Sequence, residues 1–506
     1  METGNESDES ASMKVKDAVC QNLAEFIDRL RQEGELVEIA TEVDPRLEIT
    51  EIYDRVVKRG GPALLFQKVK GSSMPLAVNL FGSFRRMSLA LGVSELEEIG
   101  ERIQSFLEVK VPEKFTDKIK MLPKLHLLNK ITPKIVKQAP CQEVVRTGGD
   151  LLSEIPVIQC WPGDAGLYIT LPMVVTKDPE TGIRNVGTYR MQVYDGRTTG
   201  MHWQIHKDGT SHQRRYLEKG IRRMEVAVAL GADPASIFSA VCPLPYGIDE
   251  FVFSGFLRQD AVELVKCKTV DLEVPAQSEI VLEGYVDVEE KRREGPFGDH
   301  TGYYSLAKDF PVFHVECLTR RRSPVYVTTA VGRPPMEDAY MAKAIERLFL
   351  PLIHSQFQEI VDMNLPVEGV FTNCVLVSIK KSYPQQAKKI INLLWGFGQL
   401  MFEKMVLVFD HDVNIHDPQE VAWRAFNNVD PKRDMIFTEG PLDELDIAAS
   451  QELFGSKVGV DCTRKWPEEG MQRPWPDDIV MSPEVKDLVS RRWREYGLDG
   501  KFGKPA

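Results

Sequence analysis

The chain has 506 residues, enough for two to four domains at roughly 150 residues per domain. Hydrophobic residues make up 43% and charged residues 27% of the sequence, which is typical of a folded globular protein and excludes a disordered one. The 75 aspartates and glutamates outnumber the 63 lysines and arginines, so the net charge is −12. That charge argues against a general nucleic-acid-binding protein.

The sequence also predicts the compartment. Its eight cysteines are scattered, which indicates neither a disulfide framework nor a zinc cluster. There is no apolar run of about 18 residues, and the N-terminus lacks the basic and apolar regions of a signal peptide. We therefore expect a cytoplasmic protein, with residues 1–12, which are acidic and Ser-rich, forming a disordered tail.

Residues 13–111 are predicted to form an N-terminal α/β lobe. The apolar residues of 23–30 recur at helical spacing, and Gly34 follows as a C-cap. Short runs bounded by Gly and Pro predict the remaining elements, a strand at 36–40, a helix at 47–56, and strands at 63–69 and 76–81.

Residues 112–140 form a connector that is basic, unlike the acidic remainder, because seven lysines alternate there with Leu, Ile and Pro. Two interpretations stay open. The segment could contact a membrane surface or an anionic substrate, or it could be a solvated helical face interrupted by Pro123 and Pro133.

The middle of the chain is predicted to be antiparallel sheet, with a barrel-like arrangement. Strand patterns separated by turn sequences predict a β-meander at 168–176, 184–194 and 201–206. The later predicted strands are at 264–272, 279–288, 311–319 and 324–331.

After residue 331, predicted helices and strands alternate, which favours a parallel sheet with crossover helices. The elements are a helix at 339–356, a strand at 370–379, a helix at 385–399, a strand at 405–410 and a helix at 419–428. No Gly-rich nucleotide motif occurs there, so a structural or oligomeric role is expected.

The first segment that could carry chemistry is Arg184-Asn-Val-Gly-Thr-Tyr-Arg190. An Asn oxygen can bind a hard cation, and an Arg can hold a carboxylate or phosphate. Strict alternation places Asn185 and Arg190 on opposite faces of a strand, so a shared site requires a bulge at Gly187 or a strand edge. An ordinary polar strand is the alternative.

The second segment, residues 201–208, reads Met-His-Trp-Gln-Ile-His-Lys-Asp. Strand periodicity places His202, Gln204 and His206 on one face. The two histidines would be about 13 Å apart at about 3.3 Å per residue, too far to share a metal. They are as consistent with structural hydrogen bonds as with ligand binding.

The third segment, Glu294-Gly-Pro-Phe-Gly-Asp-His-Thr-Gly302, has two acids flanking a turn. Paired acids near an Arg can divide into one charged and one protonated group, although a surface turn is the simpler interpretation. Glu250 is an acid within an apolar stretch, so it is a candidate ligand or a helix cap.

Together these segments resemble the UbiD family of decarboxylases, which use prenylated FMN. The resemblance runs from about residue 20 to 475. It is carried by five segments in order, which are residues 185–190, 228–234 (Val-Ala-Leu-Gly-Ala-Asp-Pro), 294–304, 332–335 (Gly-Arg-Pro-Pro) and 455–461 (Gly-Ser-Lys-Val-Gly-Val-Asp).

The resemblance implies a flavin whose phosphate is held through a divalent metal, usually Mn²⁺, with Asn185 and Glu250 at the ligand positions. It leaves open whether K⁺ accompanies the metal, and whether His206 or Lys207 occupies the register of a third ligand. The residues implied to line the prenylated FMN are Thr188, Tyr189, Arg190, His202, Trp203, Gln204, Lys207 and Asp208.

The resemblance also implies an acid-Arg-acid group formed by Glu294, Arg190 and Asp299. On this pattern Asp299 donates the proton that replaces CO₂, and Arg190 keeps Glu294 ionised and orients it. The implied reaction is decarboxylation of 4-hydroxy-3-polyprenylbenzoate in quinone biosynthesis. The alternatives are another aromatic acid, as in a menaquinone pathway or a reversible arene carboxylase, and an inactive flavin-binding scaffold.

The implied fold is α/β (α+β), with the N-terminal lobe followed by a flavin-binding split β-barrel domain at 141–331. An α/β oligomerisation domain at 332–440 and a C-terminal extension at 441–506 complete the chain. The implied partners are a flavin prenyltransferase that supplies the cofactor and further copies of the chain in a dimer or hexamer. Peripheral contact with the inner face of the cell membrane is a further expectation, and no nucleic acid is expected.

Overall fold

The computed structural model describes residues 19–107 and 129–498. The predicted tail at 1–12 lies outside the described residues, as does the connector at 112–128. Of the described helices, none is long and apolar enough to cross a membrane.

The elements of the N-terminal lobe are α1 (Leu23–Gln32), β1 (Leu36–Ile39), α2 (Glu48–Val57), β2 (Ala63–Phe66), β3 (Leu76–Val78), α3 (Phe84–Leu91) and α4 (Glu97–Leu107). They have the predicted order as far as β3, followed by two helices, α3 and α4, that were not predicted. α1 begins where the Asn22 side chain accepts the Glu25 N–H, and its apolar face is buried as the spacing predicts. β1 pairs with β2 in parallel, and β2 pairs with β3 in antiparallel.

The central domain contains the predicted antiparallel sheet. Its strands before residue 200 are β4 (Lys134–Val136), β5 (Val144–Arg146), β6 (Tyr168–Ile169), β7 (Pro172–Lys177), β8 (Arg184–Gly187), β9 (Met191–Gln192) and β10 (Thr198–Gly200). They are followed by α5 (Asp208–Glu218), β11 (Arg223–Leu230), α6 (Pro234–Val241), α7 (Glu250–Arg258), β12 (Glu263–Lys266), β13 (Glu273–Pro275), β14 (Ile280–Glu294), β15 (Phe297–Gly298), β16 (Tyr304–Ser305), β17 (Lys308–Arg320) and β18 (Tyr326–Val327).

Seven of these strands form one sheet in the order β10-β17-β14-β11-β7-β8, with β5 also paired to β17. All of its pairings are antiparallel. The N-terminal lobe is joined to this domain through a strand pair, because β18 pairs with β3. Within the central domain, β4 pairs with β12.

The prediction of a strand at 201–206 is wrong. Residues 201–207 form local turns, in which Trp203 N–H donates to the carbonyl of Met201 and Lys207 N–H donates to that of Gln204. These turns replace a strand ladder, and α5 begins at Asp208. As a result His202 and Trp203 are both buried, whereas strict alternation placed them on opposite faces.

Two other strand predictions were too long. In the segment at 264–272 only residues 264–266 belong to a strand, β12, and residues 267–272 form the turn to β13, with which β12 pairs as a hairpin. The strand predicted at 370–379 begins only at Cys374, because Val370 and Phe371 have positive φ angles of 43° and 53° that no strand accommodates.

The C-terminal domain contains α8 (Glu337–Gln356), β19 (Ile360–Asn364), β20 (Cys374–Ile379), α9 (Gln386–Leu394), β21 (Met405–Asp410), α10 (Pro418–Asn428), α11 (Pro431–Asp434), β22 (Met435–Pro441), β23 (Phe454–Asp461) and α12 (Pro483–Arg491). Its sheet order is β19-β20-β21-β23-β22. The two predicted strands, β20 and β21, pair in parallel as expected, and β21 also pairs with β23 in parallel. Both edge strands, which were not predicted, pair antiparallel, so the sheet is mixed rather than parallel throughout. The short links into β20 and β23 lack a crossover helix, which a parallel pair would require.

The first residue of α8 ties the C-terminal domain to the N-terminal lobe. The Glu337 carboxylate accepts the backbone N–H of Phe81 at 2.7 Å, and the Glu337 N–H donates to the Tyr53 hydroxyl at 3.0 Å. Glu337 is 1% exposed. Burial raises the pKa of its carboxyl to about 7, although the bond from the Phe81 N–H opposes the shift.

We predict that Glu337→Gln removes a pH-dependent loss of stability. The folded-state pKa of Glu337 lies above its unfolded value of 4.5, so the folded protein binds more protons between pH 4.5 and 7. Relative to the Gln variant, the wild-type free energy of unfolding should therefore decrease by on the order of 2 kcal/mol as the pH rises from 5 to 7.5. Urea denaturation at both pH values measures this difference. Glu368→Gln, at an exposed position, is the control, and parallel pH dependence in wild type and E337Q would contradict the prediction.

Candidate active site

The centre of the site is Arg190, which bonds two buried carboxylates. Its Nε donates to Glu294 Oε1 at 3.0 Å and its Nη2 donates to Glu294 Oε2 at 3.2 Å. Its Nη1 donates to Asp299 Oδ2, and its Nη2 also donates to the Ser305 hydroxyl at 3.0 Å. The structure thus brings together the three residues of the predicted acid-Arg-acid group.

The strand that carries Asn185 is interrupted before Arg190. β8 ends at Gly187, and the chain resumes as a strand at Met191. The Tyr189 ring folds back over Gly187 so closely that a Cβ there would lie 2.5 Å from it. The strand end at Gly187 that the sequence required is therefore present, and glycine permits it sterically.

The two acids come from the end of β14 and the turn after it. Glu294 is the last residue of β14, and Asp299 directly follows β15. Asp164 fixes this turn, since its carboxylate accepts the N–H groups of Gly298 and Trp161, each at 2.8 Å. The Phe297 ring lies under the Arg190 guanidinium, 4.6 Å from its centroid, which favours a cation at this position.

Electrostatics holds both carboxyls in the ionised form. Burial alone would raise their pKa values, but the pKa of Glu294 is about 2 because His202 and Arg190 stabilise its carboxylate. The pKa of Asp299 is likewise held well below its usual range by the charge of Arg190 and by bonds from His300. The division into one charged and one protonated acid that the sequence allowed is thus not present in the free protein.

His202 completes this cluster. Its Nδ1 lies 3.1 Å from Glu294 Oε2, and its ring contacts Phe310 at a centroid distance of 4.2 Å. Burial and the charge of Arg190 lower the pKa of His202, so the imidazole is neutral at pH 7. Because an ionised carboxylate only accepts hydrogen bonds, we assign the ring proton to Nδ1, which makes Nε2 an acceptor.

A second group of polar residues lies around Asn185 and Glu250, the predicted metal ligands. Glu250 Oε2 accepts the backbone N–H of Val186 at 2.9 Å, and Asn185 Nδ2 donates to the Tyr189 hydroxyl at 3.4 Å. Burial, together with the charges of Asp249 and Asp208, raises the pKa of Glu250 to about 8. A divalent cation would neutralise this acidic environment, so these oxygens fit one chemically.

The two candidates for a third metal ligand, His206 and Lys207, both lie at the surface. His206 is exposed and its ring contacts Phe402 of the C-terminal domain at 5.3 Å, while Lys207 is exposed at the N-cap of α5. Over residues 19–107 and 129–498, no three His, Cys, Asp or Glu side chains are grouped for metal binding.

Three buried polar atoms next to these clusters have no hydrogen-bond partner among the described residues. They are Thr188 Oγ1, His202 Nε2 and Trp203 Nε1. Buried polar groups are normally paired, so these atoms fit a bound polar ring system such as a flavin. The N-terminus of α5, which begins at Asp208 beside Lys207, fits a phosphate group. Gln204 lies at the partly exposed rim.

A cleft of about 210 Å³ lies beside His202. Ser305 and Lys308 of the central domain line it, together with Glu444 and Leu445 of the C-terminal domain. Ser305 was not predicted from the sequence because it lies one residue beyond the segment 294–304 that carries the family resemblance. His300 was inside the motif, but only the structure shows its ring 3.1 Å from Asp299.

Family models cover all three domains of this architecture. Those for the N-terminal, Rift-related and C-terminal domains of 3-octaprenyl-4-hydroxybenzoate carboxy-lyase match residues 27–103, 134–334 and 339–462. The fold and site thus define a three-domain carboxy-lyase. The chain belongs to the UbiD family, which confirms the resemblance seen in the sequence. An uncharacterised protein from Archaeoglobus fulgidus is 52% identical over 476 residues, 94% of this chain and 98% of that protein.

Two solved structures are similar over nearly the whole chain. The UbiD-class enzyme HmfF from Pelotomaculum thermopropionicum, in complex with FMN, is 28% identical with a TM-score of 0.77 over 92% of this chain and 98% of its own. Vanillic acid decarboxylase from Sedimentibacter hydroxybenzoicus, in its closed form, is 27% identical with a TM-score of 0.81 over 94% of this chain and 99% of its own.

We predict that Asn185→Ala lowers cofactor content without unfolding the protein. The change removes an oxygen from the proposed cation site but leaves the Val186 bond to Glu250 intact. Metal analysis and flavin absorbance of the purified variant should both show a several-fold decrease, with an unchanged circular dichroism spectrum. Asn392→Ala, on the exposed face of α9, is the matched control. If N185A retained wild-type flavin and metal content, Asn185 would not be a ligand of the cation site.

Proposed function

We propose that this protein decarboxylates an aromatic carboxylic acid with a bound prenylated FMN. The observation that carries this proposal is the Arg190 cluster beside the unpaired polar atoms of Thr188, His202 and Trp203. An Arg held between two carboxylates can orient a substrate carboxylate and control the charge of an acid that donates a proton. Membership of a carboxy-lyase family and the FMN complex of HmfF support the same chemistry.

When bound, prenylated FMN would supply the electron sink for the carbon that loses CO₂. The chain's own residues position the substrate and move one proton. Arg190 orients the substrate carboxylate, and Glu294 with neutral His202 keeps the guanidinium in place. Asp299 delivers the proton to the carbon that CO₂ leaves, which requires its carboxyl to be protonated during the reaction.

The remaining residues of the Arg190 cluster and of the Asn185 and Glu250 cluster are assigned to binding the cofactor. Asn185 and Glu250 would hold a divalent cation, with Mn²⁺ as the proposed metal, and the N-terminus of α5 with Lys207 would bind the phosphate. Thr188, Tyr189, Trp203, Gln204 and Asp208 would surround the flavin. No described residue argues for or against K⁺.

We favour a compact aromatic acid over a polyprenylated one as the substrate. In the wall of the cleft, Lys308 is paired with Glu444 at 2.6 Å and Glu452 at 3.2 Å, and these charges suit the polar groups of a small acid. Leu306, Leu445 and Ile447 give the same cleft an apolar part, which suits an aromatic ring or an apolar substituent. Vanillic acid decarboxylase shows that a UbiD-like fold can act on a small hydroxybenzoate. The 4-hydroxy-3-polyprenylbenzoate expected from the sequence stays the second candidate, supported by the description of the family models.

The intact Arg190, Glu294 and Asp299 argue against an inactive flavin-binding scaffold.

A homo-oligomer is part of the proposal. The apolar side chains of Val485 and Leu488 on α12 are exposed in the single chain, and a second copy of the chain could cover them. A flavin prenyltransferase would supply the cofactor. Contact with a membrane through the basic connector stays a prediction.

Asp299→Asn should retain flavin and metal but lose at least 100-fold of decarboxylation, because the amide cannot donate an acidic proton. The measurement is CO₂ release under saturating substrate, together with cofactor content. Asp309→Asn changes an exposed aspartate on the neighbouring β17 and should be near wild type. Turnover within threefold of wild type in D299N would exclude Asp299 as the donor.

The substrate class is tested with protein co-expressed with a flavin prenyltransferase. Mass spectrometry identifies the released cofactor, and CO₂ release is measured with 4-hydroxybenzoate, vanillate, 3,4-dihydroxybenzoate and 4-hydroxy-3-prenylbenzoate. We expect prenylated FMN and release from an unprenylated acid. Release from the prenylated acid alone would favour the second candidate, and a protein that binds no flavin would refute the proposed function.

A further inference from the structure

His300 is a partly exposed histidine that bonds the proposed proton donor directly. Its backbone N–H donates to Asp299 Oδ1 at 2.9 Å, and its Nδ1 lies 3.1 Å from the same oxygen. The other Asp299 oxygen faces Arg190. The Asp299 side chain is 6% exposed and that of His300 is 20% exposed, so the imidazole lies between the buried carboxylate and solvent.

The proposed reaction consumes one proton in each turnover, because an aromatic carboxylate and a proton become CO₂ and an arene. Arg190 holds Asp299 in its ionised form, so the free protein stores no proton on that carboxyl. A donor in this state must be loaded with a proton from another group. His300 Nδ1 lies within hydrogen-bonding distance of Asp299 and is the titratable group best placed to provide one.

We propose that His300 acts through Asp299 as a positioning residue that relays protons from solvent to the carboxylate. This proposal rests on the proposed function and extends it to the path of the proton. In the step, the proton on Nδ1 moves to Asp299 Oδ1, and Asp299 then gives it to the carbon that has lost CO₂. The neutral imidazole then takes up one proton from hydronium or a buffer acid in the solvent, so the cycle consumes one aromatic carboxylate and one proton and yields one arene and one CO₂.

The surroundings of His300 favour its protonated form. Burial lowers the pKa of the imidazole, but its bond to Asp299 and nearby negative charges outweigh that effect and raise it. The charged groups that face it are Asp299, Asp338 in the first turn of α8, and Asp443 in the segment after β22. With a pKa above its ordinary value, His300 keeps its proton to a higher pH than a free imidazole and loses it as the pH rises through the raised pKa.

The C-terminal domain holds the ring in this orientation. The Phe371 ring contacts that of His300 at a centroid distance of 4.9 Å. Phe371 and the preceding Val370 both have positive φ angles, 53° and 43°, and a β-branched residue rarely adopts such a conformation. Strained backbone of this kind persists only where the surrounding structure fixes it, and here it places Phe371 against the relay residue.

The test compares His300→Gln with wild type in kcat, KM and pH profile, using the acid of the panel above that is turned over fastest. Gln keeps a hydrogen-bond donor but cannot titrate. We expect kcat to decrease at least tenfold, KM to change less than twofold, and the alkaline decrease of kcat to disappear. His416→Gln breaks a comparable pair with Asp362, 2.9 Å apart, in the C-terminal domain and should be near wild type. Wild-type kcat and pH profile in H300Q would overturn the proposal.

Two further measurements separate a relay from a purely structural role. Added imidazole should restore turnover to His300→Ala saturably, and an absence of rescue would count against the relay.

Independently of turnover, NMR titration of ¹⁵N-labelled histidine rings should give His300 a pKa above 6.5 that decreases in Asp299→Asn. An unshifted pKa in both proteins would overturn the relay even if the protein is a decarboxylase. A shifted pKa in a protein that turns over no acid would refute the proposed function alone.

Discussion

The site depends on one buried guanidinium. Arg190 is surrounded by Glu294, Asp299 and Ser305, with the Phe297 ring beneath it, so its charge is balanced within the protein. A buried charge without partners would be strongly unfavourable, and so would either carboxylate alone. The interrupted strand at Gly187, the end of β14 and the turn held by Asp164 all serve to bring these groups together.

This balance also determines where protons can reside. Both carboxylates are stabilised as anions, His202 is neutral because of burial and the Arg190 charge, and His300 is the imidazole whose protonated form is favoured. Catalysis by a protonated acid in this cluster therefore requires delivery of a proton. The C-terminal domain contributes to that arrangement through Phe371 and Asp443, so the chemistry depends on how closely this domain approaches the central one.

The sequence was sufficient for the parts of the molecule that depend on local pattern. The apolar spacing of 23–30 predicted α1, the alternation after residue 331 predicted the parallel centre of the last sheet, and the five segments predicted the family. It failed where non-local contacts override periodicity, as at 201–206, where turns and burial of both His202 and Trp203 replace a strand. The antiparallel edges of the last sheet depend on long-range pairing, which no local pattern encodes. The roles of Ser305 and His300 required distances between side chains.

Arg190 keeps the Asp299 carboxyl ionised in the resting protein, and every proton transfer proposed for the site depends on this charge. Infrared difference spectroscopy between wild type and Asp299→Asn, with ¹³C-labelled aspartate, measures the protonation of this carboxyl directly. At pH 7 we expect wild type to show a carboxylate band that is absent from D299N, and no carbonyl stretch of a protonated aspartic acid. A carbonyl stretch from protonated Asp299 at pH 7 would show that the Arg190 guanidinium does not control the charge of the site.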